Sequence, residues 1–122
     1  MIEPPGAAGT VASLLSLIGV DMAILWQRTG NVKMAELPAA VKFAKSVAGY
    51  LNEKYSLKVE VATPLAGVSS RVMWLSRFDS LAMMEQLLGK LAQDAGYNKL
   101  VAEGTKGVFV DAATSDELWK VH

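Results

Sequence analysis

Six residues, Trp26, Arg28, Arg71, Trp74, Arg77 and Trp119, have the types and spacing that could do chemistry in this sequence. An arginine fork can pair with a carboxylate or enolate while tryptophan supplies a rigid apolar wall. The set therefore fits a pocket for a small aromatic or acidic ligand. In extended chain Trp26 and Arg28 share one face, and so do Arg71 and Arg77. Tyr50 or Tyr97 could donate a proton to whatever is bound. The competing reading needs no ligand: the tryptophans are core and interface anchors, and the arginines sit at strand ends beside residues such as Asp21, Asp79 or Glu117.

The residue types that are missing remove whole classes of chemistry. There is no cysteine, so thiolate nucleophiles, disulfides and cysteine metal sites are out. The single histidine is His122, the last residue, a poor place for a general base, a metal ligand or a haem ligand. Without a histidine nearby, Ser69, Ser70, Ser76 and Ser80 lack the base that would make one a nucleophile. Asp111, Asp116 and Glu117 could catch a hard cation, but a turn from Asp111 to Asp116 accounts for them more simply. No metal and no cofactor is expected. Twelve basic residues balance twelve acidic ones, and like charges never run beyond a pair, so no basic face is available for nucleic acid.

The segment from Ala7 to Leu25 is nearly all apolar, yet Asp21 lies inside it, Glu3 precedes it and no basic residue occurs before Arg28. Neither a secretory signal nor a membrane span is expected from that charge pattern, and a cytoplasmic location follows as the expectation. The segment instead reads as a short helix from Thr10, with Val11, Leu14, Leu15 and Ile18 on one side, stopped by Gly19. At 122 residues the chain has room for one domain, residues 20–122, behind an N-terminal extension of residues 1–19.

The elements that must position the six candidates follow from periodicity. Asp21 to Arg28 is apolar at odd and even positions alike, the mark of a strand buried on both faces, and Thr29-Gly30-Asn31 is expected to break it. A helical stripe of Leu37, Val41, Ala44, Ala48, Leu51 and Tyr55 follows, with Pro38 in its first turn. Lys58 to Ala62 alternates as a half-exposed strand near a sheet edge, and Arg71 to Phe78 is a second two-faced, central strand. Asp79 is the expected N-cap of the next helix, striped by Leu81, Met84, Leu88, Leu91 and Ala95 and interrupted at Gly96. Short strands at 107–110 and 117–121 close the chain.

The order strand, helix, strand, strand, helix, strand predicts a ferredoxin-like α+β domain, with a four-stranded antiparallel sheet and two helices on one face. Strands apolar on both sides need both faces covered, and one helical layer covers only one. A second copy packed sheet to sheet, in a symmetric homodimer, is the expected partner.

Arg77-Phe78-Asp79-Ser80-Leu81 at the strand-to-helix junction and Gln93-Asp94-Ala95-Gly96-Tyr97 after the second helix resemble the dimeric α/β-barrel superfamily. It includes NIPSNAP-like, antibiotic-biosynthesis-monooxygenase-like and stress-responsive barrel families. The resemblance spans roughly residues 20–122. It implies the dimeric barrel fold and, among activities, cofactor-independent oxygenase or isomerase chemistry on a small ligand. Haem-handling members generally use a histidine inside the barrel, and this chain has none to place there. Both motifs serve helix ends, so the non-catalytic alternative, an assembly or accessory protein, stays open.

Overall fold

The computed structural model describes residues 23–67 and 69–122, with backbone alone at 111–113. The extension of residues 1–19 and the helix expected from Thr10 to Gly19 lie outside the described residues.

Four strands form one antiparallel sheet in the order β2-β3-β1-β4: β1 (Ile24–Val32), β2 (Glu60–Ala62), β3 (Arg71–Phe78) and β4 (Phe109–Lys120). The two-faced strands are the central pair and the alternating one is an edge, as their patterns require. Helix α1 (Leu37–Tyr55) enters through a single 3-10 turn at Met34–Glu36, with Pro38 in the first turn where no amide hydrogen is needed. It ends at Ser56, which takes the left-handed conformation at φ 55°. Helices α2 (Leu81–Ala92) and α3 (Ala95–Gly104) lie between β3 and β4.

The register decides which side chains share a face. Trp26 stands opposite Ser76 and Leu118, and Arg28 opposite Trp74 and Asp116. Ile24, Trp26, Arg28 and Val32 therefore join Val72, Trp74, Ser76 and Phe78 on one side, and the helices pack there. Phe43, Val47 and Leu51 of α1 meet Met84, Leu87 and Leu91 of α2 over Phe78, while Ala40 and Ala44 seat on Val32 and Val72. Leu25, Gln27, Thr29, Met73, Leu75, Arg71, Arg77 and Trp119 face the other way. No described element covers that side.

Four expectations are corrected. β1 runs through Thr29-Gly30-Asn31 to Val32 instead of breaking, with a register shift against β4 between Gly30 and Val32. Gly30 is there for close approach: a Cβ would stand 2.6 Å from the Phe109 ring. The turn placed at Asp111–Asp116 does not exist, because β4 is continuous from Phe109 to Lys120 and pairs with β1 along most of its length. Turn-forming residue types gave way to ladder pairing. The cap of α2 is Ser80, whose Oγ accepts from the Met83 amide at 3.2 Å, and not Asp79. The break between α2 and α3 falls at Gln93-Asp94 and not at Gly96, because Asp94 starts a new helix by accepting from the Tyr97 amide at 3.0 Å.

Candidate functional site

The helix-covered side of the sheet is not packed solid. A cavity of about 310 Å³ lies between β1, β3, β4 and the three helices, with Trp26, Arg28, Trp74, Ser76, Tyr97 and Phe109 among its walls. That volume is at the small end of ligand pockets, which run roughly 300–1,000 Å³. Its walls are mainly aromatic and aliphatic. Phe43 meets Trp74 edge-on at 6.1 Å between ring centroids and Phe109 at 5.7 Å, and Trp74 stacks on Phe109 at 6.3 Å. Trp74 gives its indole hydrogen to the Ala44 carbonyl at 3.1 Å, so it presents only ring to the cavity.

The polar groups on this wall are few and differently placed. Arg28 donates from Nε and Nη2 to the two carboxylate oxygens of Asp116, at 2.7 and 2.9 Å, and its guanidinium lies 5.0 Å from the Trp26 ring centre. The hydrogen bond to Asp116 raises the Arg28 pKa, and the same bond lowers that of Asp116. Burial pushes the Tyr97 hydroxyl above its ordinary value against the pull of Arg28, so it stays a neutral donor. Thr105 spends its hydroxyl on the Val101 carbonyl at 2.8 Å. Ser76 is 7% exposed, and its Oγ is the one buried side-chain oxygen or nitrogen among the described residues with no hydrogen-bond partner.

The six residues named from sequence divide between the two sides. Trp26, Arg28 and Trp74 wall the cavity, together with Tyr97. Arg71, Arg77 and Trp119 stand on the open face; Trp119 is 53% exposed, and Arg71 edges a separate hollow beside Pro64 and Met73. Tyr50 is elsewhere again. Its hydroxyl donates to Asp94 Oδ1 at 2.8 Å, Tyr55 donates to Oδ2 at 2.6 Å, and Lys54 reaches Oδ2 at 2.9 Å. Hydrogen bonds from Tyr55 and the Tyr97 amide lead the causes that hold the Asp94 carboxyl far below its ordinary value. Asp94 thus ties the start of α3 to the end of α1 and settles where Tyr97 enters the cavity wall. The Asp-x-x-Tyr spacing reports a clamp between helices.

Two participants were missed in the sequence. Asp116 was read into a turn, and its place opposite Arg28 needed the register of β4. Ser76 lacks a base that would make it a nucleophile, and the signal it carries in the sequence is a hydroxyl on the apolar face of a central strand.

Comparison with solved structures identifies the fold. An uncharacterized NIPSNAP-like domain protein from Burkholderia xenovorans superposes with a TM-score of 0.71 at 9% identity, over 84% of this chain and 87% of that one. A NIPSNAP family protein from Agrobacterium tumefaciens gives 0.65 at 13% identity, over 83% and 87%. An antibiotic biosynthesis monooxygenase-like protein from Deinococcus radiodurans gives 0.61 at 12% identity, over 81% and 92%. The chain shares its α+β fold with these NIPSNAP-like proteins. No protein-family model and no curated protein matches the sequence. Identities this low establish the fold and leave its chemistry to the cavity itself. Among the described residues no helix is long and apolar enough to cross a membrane.

Proposed function

We propose that the protein binds a small, largely apolar molecule in the cavity between its helices and its sheet, and that it works in the cytoplasm as a homodimer joined through the open sheet face. The observation that carries the ligand reading is the apolar pocket of about 310 Å³, open to solvent on one side, between the helices and the sheet. A concave, mainly aromatic and aliphatic surface of that size with a few convergent polar groups is what a small-molecule site offers. Its walls favour binding over acid-base turnover. Asp116 is spent on Arg28, Tyr97 is held protonated, and Ser76 has no histidine, so no wall group is a ready base.

The dimer reading is supported by the composition of the uncovered side. Leu25, Met73, Leu75 and Trp119 form its apolar middle, with Arg77 on β3 and Glu117 on β4 on the same side of the sheet. A two-fold partner would bring the cations of one copy toward the anions of the other.

The ligand reading is tested by NMR, with the protein 15N-labelled at tryptophan and titrated with toluene. The Trp26 and Trp74 indole signals should move while Trp119, on the other face, stays still. Val47→Phe, which fills the cavity from α1, should abolish the shifts. Equal movement of all three indoles would mean surface association and would end the proposal.

A further inference from the structure

We propose that Ser76 is the specificity-determining residue of this cavity and that the natural ligand is uncharged, carrying a hydroxyl or carbonyl group that pairs with Ser76 Oγ. This rests on the ligand-binding reading above and adds the chemistry of the molecule bound.

The first support is the orphaned hydroxyl. Ser76 is more than nine-tenths buried, lines the cavity from β3 and has no partner among the described residues. Buried polar groups are nearly always satisfied, and one left open toward a cavity is satisfied by whatever occupies it. The strand itself supplies no alternative: Ser76 stands opposite Trp26, whose ring leans on Phe78 at 6.1 Å, and the facing helices present Leu87 and Leu91.

The second support is the charge balance of the wall. Arg28 is the one ionised side chain lining the cavity, and two of its donors already hold both oxygens of Asp116. A ligand carboxylate entering there would meet the Asp116 charge as well as the arginine, with no lysine on the wall to offset it. An uncharged group meets no such opposition, and Arg28 retains donors that a neutral oxygen can use. The remaining polar wall groups suit the same class, since Tyr97 and Thr114 offer neutral hydroxyls and Thr105 and Trp74 are already committed.

The experiment uses three probes that differ at one position, toluene, p-cresol and p-toluate, titrated into the whole protein with the Trp26 and Trp74 indoles as reporters. p-Cresol should bind roughly 3–10-fold more tightly than toluene, the worth of one hydrogen bond, and p-toluate more weakly than p-cresol. Ser76→Ala should bring the p-cresol to toluene ratio close to one, and Ser76→Thr, which keeps the hydroxyl, should retain the ratio. A merely structural role for Ser76 would shift all three affinities together. Equal binding of p-cresol and toluene by the unaltered protein would show that a water serves Ser76 and would overturn the inference, as would a ratio that survives Ser76→Ala or tightest binding by p-toluate. If no probe moves either indole, the ligand-binding reading itself fails, an outcome separable from those three.

Discussion

The two faces of the sheet carry the same kinds of residue and put them to different uses. On the helix-covered face Trp26, Arg28 and Trp74 surround a cavity, with the arginine neutralised by Asp116 and Trp74 fixed through its indole hydrogen. On the open face Arg71, Arg77 and Trp119 have no element above them among the described residues. Strand alternation assigns each residue to its face, and only tertiary packing assigns the face its role. A tryptophan is a pocket wall at position 74 and exposed at position 119 because of what lies over it.

The contrast is broken most severely at Phe43, which joins α1 to Trp74 and Phe109 across the cavity. It is 8% exposed, so Phe43→Ala should cost about 3–5 kcal/mol in urea unfolding. An equivalent truncation on the open face should approach nothing of that size. Next comes Gly104, where a Cβ would strike the Phe43 ring. Gly104→Val should cost about 1–3 kcal/mol through overpacking and should also weaken toluene binding, since it pushes Phe43 into the cavity. Were Gly104→Val neutral in the melt, the tight seat of α3 on α1 would be wrong.

Period 2 and period 3.6 placed both central strands, the long helix and the junction after Phe78, since each carries a continuous apolar pattern. Capping was legible in kind and off by one or two positions: Asp79 competes with Ser80, and Gly96 with Asp94, and the decision rests on where the chain exits the previous element. The β4 strand was hidden because Asp111-Ala112-Ala113-Thr114-Ser115-Asp116 has turn composition, and an edge strand with one exposed side needs little hydrophobicity. Both strand faces were apolar enough to accept helices. Hence the split of the six candidates between cavity and open face, and the meeting of Arg28 with Asp116, could be read only from the register.

Acid should separate two carboxylates that the same logic would treat alike. Asp94 is nearly enclosed and accepts from two tyrosines, a lysine and an amide; Asp116 is exposed and accepts from Arg28. Both are held below the ordinary value of 3.8, so each contributes stability above that pH and loses it as pH falls through the folded-state value. For Asp94 the loss extends well below pH 3.8. Asp94→Asn should therefore flatten the fall in melting temperature below that pH, whereas Asp116→Asn should change it much less because solvent screens its partner. Equal flattening by both variants would mean that the clamp between α1 and α3 holds no more tightly than the exposed pair.

The smallest effect on folding should come from Trp119, and it is the most telling about the open face. At 53% exposure its removal leaves no cavity in the monomer, so Trp119→Ala should change monomer stability by less than about 0.5 kcal/mol. In a dimer joined sheet to sheet the same ring is buried in the seam, where a tryptophan anchor is often worth 2 kcal/mol or more, roughly a thirtyfold change in dissociation constant. Light scattering across a concentration series should thus show Trp119→Ala dissociating at higher concentration than the unaltered protein while the toluene shifts at Trp26 and Trp74 persist. If the protein is monomeric throughout, or if dissociation is unmoved, the apolar middle of the open face is not a seam. The exposed Trp119 would then need a different explanation, while the cavity on the covered face would keep its own case.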